Sequence, residues 1–274
     1  MTDTTIKLRL GFEELVSLMA ALGLRGLPGI GENVWEGLDE SQVSLVMSAG
    51  LNALRARGWV ADEAMSDGKP RLAIDSTVLA VVGTCARASW LVYLNRLPMD
   101  APPEMAYLHL GPQLLVLHHT PHSGVHEFIG SVDKTEMLKE IEAILQLDGQ
   151  PNRSERLAVT ISQVGFDKAV TLARNNQRAE AINILIQAGN SPEAVAQLID
   201  SIYTVRSNSL ITQVRLQASD SSTAVEPVTS FSLLNEPSRL WMIQDKGNEQ
   251  VTLTLTSLQH CREVVGHLIE FHAF

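Results

Sequence analysis

One order of hydrophobic patterns occurs twice along this chain, and no other feature restricts its fold as much. In the first pass an apolar helical stretch, residues 75–82, leads into four short β-rich runs at 90–94, 105–110, 113–118 and 125–129. Pro, Gly and Asp separate the runs, which reads as an antiparallel meander. A helix closes the unit, with Met137, Leu138, Ile141, Ile144 and Leu145 on one face. The second pass has helical residues 194–199, runs at 210–216, 228–234, 239–243 and 251–256, and a last helix carrying Val264, Val265, Leu268 and Phe271. Arg87 aligns with Arg206 and Leu117 with Ile243; the change of spacing falls in loops, where insertions cost least. The expected fold is α+β, two quasi-symmetric halves, each made of helices followed by a four-stranded antiparallel meander and a closing helix.

Each half carries its own prefix. In the first, Ile6, Leu8 and Leu10 alternate as in a short strand, and Leu15, Leu18, Met19 and Leu22 form one face of a helix that ends in the glycines at 23–31. Asp39 with Gln42 three residues on predicts the start of a second helix through Val43, Val46, Leu51 and Leu54. A turn and strand over 67–74 follow, so that helix and hairpin together resemble a winged-helix fragment. The second prefix reads as purely helical, through Val164, Phe166, Ala169 and Ala173, then Ala179, Ile182 and Leu185. Ser191, Pro192 and Glu193 restart the helix with a hydroxyl cap, a proline at the first position and an acid in the first turn. The expected division is 1–149 and 150–274, with the junction at 148–153, where Gly149 and Pro151 interrupt both patterns. So short a connection favours halves packed together through an extended or adjacent sheet.

Composition removes several functions. With 21 basic against 31 acidic residues the net charge is -10, and a phosphate backbone is repelled unless a basic face is segregated. The imbalance lies in the first half, where 11 basic face 19 acidic side chains, against 10 and 12 in the second. No run approaches the roughly 18 consecutive apolar residues of a membrane span, and the opening Met1-Thr2-Asp3-Thr4-Thr5 has no basic start to a secretory signal. The expectation is a cytoplasmic protein with neither membrane insertion nor nucleic-acid binding. Cys85 and Cys261 both fall in helical segments, which argues for reduced thiols.

Catalytic signatures are missing. The glycine cluster at 23–31 lacks the Lys-Ser or Lys-Thr of a phosphate loop, and neither Gly-x-Ser-x-Gly nor His-Glu-x-x-His occurs. Ser131 and Lys134 match Ser-x-x-Lys without its partner motifs, and Glu13, Glu14, Asp39 and Glu40 sit at helix starts, where they complement the dipole. Histidine is the exception: five of eight lie between 109 and 126. With a loop at 120–124, His118 and His126 face each other across the strands, and His122 at the tip closes a candidate metal site; the alternative is a set of loop and strand-end histidines. Neither a catalytic residue nor a cofactor is expected otherwise.

The segment 6–15, Ile-Lys-Leu-Arg-Leu-Gly-Phe-Glu-Glu-Leu, continuing to Leu22-Gly23-Leu24 and Leu27-Pro28, resembles the opening of the EspG-type secretion-associated chaperones of type VII systems. The outline of the whole chain is similar to that family in length and in its two quasi-symmetric α+β halves. The resemblance implies a non-catalytic chaperone that keeps a helical pair of the PE and PPE kind soluble through its sheet and C-terminal helical surface. It transfers no contact residue by motif.

The residues lead independently to a protein-binding surface, since a repeated sheet without converging polar groups suits docking better than catalysis. Along 251–256, Val251, Leu253 and Leu255 are expected inward and Thr252, Thr254 and Thr256 outward, with Gln213 and Arg215 on the polar side of another strand. These five are the candidate partner contacts, or plain solvent-side residues. Rival functions are a winged-helix transcriptional regulator using residues 41–57 and a metal-binding enzyme using the histidine hairpin. Edge strands also allow a homodimer.

Overall fold

The computed structural model describes residues 5–30, 34–64, 70–150, 157–218 and 223–270. The first half runs β1 (Thr5–Gly11), α1 (Phe12–Ala21), α2 (Glu40–Ala56), the hairpin β2 (Val60–Ala64) and β3 (Pro70–Ile74), then α3 (Ser76–Arg87). Four strands, β4 (Trp90–Pro98), β5 (Glu104–Leu110), β6 (Leu115–His122) and β7 (Val125–Ser131), lead to α4 (Lys134–Leu145). The second half runs β8 (Ala158–Ser162), α5 (Gln163–Arg174), α6 (Arg178–Gln187) and α7 (Pro192–Thr204). It then repeats the meander as β9 (Ser207–Ala218), β10 (Thr223–Asn235), β11 (Leu240–Gly247) and β12 (Gln250–Thr256), closed by α8 (Leu258–Glu270). Ten strands form one antiparallel sheet in the order β1-β7-β6-β5-β4-β9-β10-β11-β12-β8, with β2 and β3 as a separate pair.

Local chemistry starts the helices as expected. Asp39 accepts from the Gln42 amide while Gln42 reaches back to the Asp39 amide, and Ser191 caps α7 ahead of Pro192. Helices α1 and α2 cross so closely that a Cβ on Gly50 would lie 2.1 Å from the Glu13 carbonyl oxygen, and the Ser17 hydroxyl donates to Met47 O at 3.2 Å. Only glycine fits that crossing.

The halves meet at the sheet centre, where β4 and β9 pair from Trp90↔Arg215 to Pro98↔Ser207. Leu117 pairs with Leu108 and Met242 with Leu233, all in one core, whereas Ile243, the residue expected to match Leu117, packs on the opposite face, in the core beneath α5–α7. The second prefix differs from its all-helical expectation too. Ala158–Ser162 forms edge strand β8, burying Val159 and Ile161 and pairing with β12. Five residues with two buried side chains give too short an alternation to stand out beside the helical pattern that follows.

One face of the sheet carries α4 and α8 over a core that draws on both halves, with Leu94, Leu108, Leu117 and Met137 beside Phe231, Leu233, Met242 and Val265. Arg262 of α8 grips Glu142 of α4 with two bonds, at 2.5 and 2.8 Å. After α4, Gln146 O accepts from Asn235 Nδ2 at 2.9 Å, and Gln150 Nε2 donates to Glu236 O at 2.7 Å. The rest of the expected junction, 151–153, lies outside the described residues, as does Phe271 of the expected last helix. On the opposite face α1–α3 cover one end of the sheet and α5–α7 the other, over separate cores.

Candidate functional site

Between those two helical layers the centre of the sheet is left partly bare. Strand alternation puts Tyr93, Asn95 and Leu97 of β4 on that face. Asn95 pairs with Met105 on one side and Leu210 on the other, so Met105 and Tyr107 of β5 and Leu210 and Thr212 of β9 share the face. Met105 is 51% exposed, Leu97 41% and Leu210 38%. Met99, just past β4 and bonded through its amide to Arg206 O at 2.9 Å, is exposed as well, as is Tyr203 near the end of α7. Within the strip Asn95 Oδ1 is buried without a hydrogen-bond donor. Tyr93 and Tyr107 rings stand 5.4 Å apart and continue the strip towards the first helical layer. Apolar side chains adjacent on three strands form a patch of the kind that marks an interaction surface, whereas scattered ones need no explanation.

Sequence reasoning missed this strip. Its signal is that residues 90–94 are apolar on both faces, which asks for cover on both sides of the sheet, and that Leu97, Met105 and Leu210 extend the apolar row past the helices.

The five expected contacts all fall on the other face. Gln213 is buried and donates to Leu268 O at 2.8 Å, fastening β9 to α8. Arg215 is exposed, its guanidinium 5.7 Å from the Trp90 ring centroid. Thr252 and Thr160 hydroxyls lie 2.9 Å apart, tying β12 to β8. Thr254 is half-buried on the same side, and Thr256 is buried, with an unpartnered hydroxyl. Val251, Leu253 and Leu255 point into the core beneath α5–α7, as the alternation predicts.

The histidines divide. The hairpin turn is shorter than expected, because His122 already pairs with Val125, and His122 is exposed at its tip. His118 stands opposite Phe128 in the ladder and reaches diagonally to His126, with Nε2 3.0 Å from Nδ1. The His109 ring is 6.2 Å from that of His118, and Phe128 stacks on His118 at 4.4 Å. His118 and His126 are thus spent on each other within the first core, and among the described residues no group of three or more His, Cys, Asp or Glu side chains is placed to hold a metal ion. His119 points to the other face, 3.3 Å from Glu127, which also binds Arg9 at 3.1 Å.

A cavity of about 100 Å³ beside residues 110–115 has Lys134 as its one charged lining side chain. Burial pushes the Cys261 thiol up to about 12, with Glu142 adding to the effect, and moves the buried Cys85 thiol upward as well; both cysteines are free. Neither is an activated nucleophile. In the region resembling a winged helix, Arg57 binds Glu14 at 3.0 Å and lies 3.7 Å from the Trp59 ring centroid, while Arg55 binds Asp62 at 3.0 Å. These pairs leave little free positive charge beside α2 for a phosphate backbone. Among the described residues no helix is long and apolar enough to cross a membrane.

No protein-family model and no curated protein matches this chain. Among solved structures it is similar to the Mycobacterium tuberculosis type VII secretion system chaperone EspG5, determined in complex with the PE25-PPE41 dimer. The TM-score is 0.63 at 12% sequence identity, over 97% of this chain and 95% of that one. The likeness is one of fold.

Proposed function

We propose that this protein is a non-catalytic adaptor that holds a helical protein partner against the bare strip of β4, β5 and β9, as a secretion chaperone of the EspG kind holds a PE/PPE pair. The exposed apolar row of Leu97, Met105 and Leu210 carries the reading, because an adaptor needs unpartnered apolar surface and an enzyme needs converging ionisable groups. Asn95 supplies an acceptor within that row. The fold it shares with a chaperone bound to a PE-PPE dimer supports the choice of partner class. The same reading takes the two halves, 1–149 and 150–274, as copies of one unit acting in the cytoplasm. A homodimer through the β1 edge is disfavoured by Lys7 and Arg9, since charged side chains on an edge strand oppose a second strand.

Co-expression with a helical PE/PPE-like pair tests the proposal. The wild-type chain is expected to co-purify with the pair, and Met105→Asp and Leu210→Asp to lose it while keeping their melting temperature. Full retention of the pair by both folded variants overturns the assignment of the strip.

A further inference from the structure

We propose that His109, His118 and His126 form a proton-operated latch, which fastens the Leu27-Pro28-Gly29-Ile30 segment and the α1–α3 layer to the sheet while the rings are neutral and lets them go on acidification. The geometry requires neutral rings. An imidazole-imidazole contact of 3.0 Å, His118 Nε2 to His126 Nδ1, is a hydrogen bond only if one nitrogen is an unprotonated acceptor. Two imidazolium ions there would set N–H against N–H inside an apolar core. No side chain bonds either His109 ring nitrogen and only the Cys85 backbone favours a proton there, so a proton on that ring would leave a charge buried opposite Val116 without a counter-charge.

The segment at 27–30 rests directly on this cluster. Gly29 adopts φ +87°, and a Cβ there would lie 2.6 Å from the Tyr107 ring and 3.1 Å from His118 Cε1. Leu27 and Ile30 on either side are buried in the same core as α1–α3. Whatever displaces the His118 ring therefore displaces the segment above it.

Surrounding groups do not supply a counter-charge. Burial pushes His109 down to about 4, with the Cys85 backbone acting in the opposite direction. His118 is held well below the ordinary value by burial and by its histidine neighbours, which outweigh the opposing pull of the Pro28 backbone in the segment above, and His126 is lowered by burial. From β5 the cluster meets Tyr107, whose phenol burial raises and whose ring stands against Tyr93 of β4. From α3 it meets the Cys85 backbone. Two carboxylates of the surrounding elements are engaged elsewhere: Glu14 of α1 with Arg57, and Glu127 of β7, on the opposite face, with Arg9 and His119. Burial lowers His119, and Glu127, Glu140 and Glu104 oppose that shift. Folded-state values below the unfolded one give stability present in full above about pH 6.5 and lost as the pH falls from there towards about 4.

The second half provides a built-in control. Register places Leu234, Ile243 and Val251 at the positions of His109, His118 and His126, so the same scaffold is held there by aliphatic side chains. Amide hydrogen exchange between about pH 7.5 and pH 5, corrected for intrinsic rates, tests the latch. Opening of residues 12–30 is expected to become more frequent by about tenfold or more, and that of residues 163–204 to change by less than about twofold. The triple variant His109→Leu, His118→Ile, His126→Val, which copies the second half, is expected to remove the difference. A histidine NMR titration of the wild-type chain needs no variant and is expected to show the three rings neutral down to the pH at which residues 12–30 open. Equal responses in the two halves, a folded triple variant that keeps the acid response, or three rings titrating near 6.5 in the closed state would each overturn the proposal.

Discussion

The α1–α3 layer and the α5–α7 layer cover opposite ends of the same sheet face, yet they are fastened by different chemistry. The first sits on a stack of imidazoles with Phe128, next to a loop whose Gly29 leaves no room for a side chain. The second sits on Trp241, which donates to Ser201 at 2.9 Å; Ser201 in turn donates to Glu236 at 2.9 Å, and Thr204 also bonds that carboxylate. A hydrogen-bonded network centred on Ser201 and Glu236 fixes the second layer, whereas the first depends on a protonation state. One architecture tolerates either solution, because each needs only an apolar platform at the same ladder positions.

The largest expected effect tests the second layer. Trp241→Ala removes its largest buried side chain and the donor to the Ser201 hydroxyl, at a cost of about 3–5 kcal/mol in denaturant unfolding. Exchange protection is expected to fall first at residues 163–204. Next comes the first layer. His109 alone, held at about 4 instead of 6.5, makes up to about 3 kcal/mol of stability dependent on pH. Unfolding curves of the wild type at neutral pH and at pH near 5 are expected to separate by a large part of that, and those of the triple variant to coincide. If residues 163–204 of Trp241→Ala acquire the acid-dependent exchange expected of residues 12–30, the contrast between the layers is wrong.

Smaller effects concern the faces and the seam. Arg215→Ala and Thr252→Asp, on the face away from the strip, are expected to leave partner affinity within about twofold by calorimetric titration, less than about 0.5 kcal/mol. Arg262→Ala breaks the α4–α8 ion pair, in which the arginine is 44% exposed; its expected cost is under about 1 kcal/mol, measured as a small fall in melting temperature.

Much of this fold is legible in the residues. The two meanders, the closing helices and the caps at Asp39 and Ser191 follow from alternation, helical spacing and capping chemistry, each of which acts over a few residues. Strands β9 and β10 run longer than their apolar runs, because ladder pairing continues through the polar residues Ser207 and Asn208 and through Glu226. The site was less accessible. Outward-facing Thr252 and Thr254 look like a free surface in an isolated strand, but β8 pairs alongside β12 there, and Gln213 is claimed by the end of α8. Which face helices leave open depends on how they are placed across ten strands, and alternation within one strand carries no such information.

Hydroxyl-radical footprinting of the chain with and without a helical PE/PPE-like pair addresses the docking claim most directly, since methionine side chains on the strip report their own solvent access. The account predicts that oxidation of Met105 and Met99 drops to a small fraction on complex formation while Trp90, beside Arg215, stays unchanged. Undiminished oxidation of Met105 in a verified complex, with protection appearing around Trp90 instead, would contradict it.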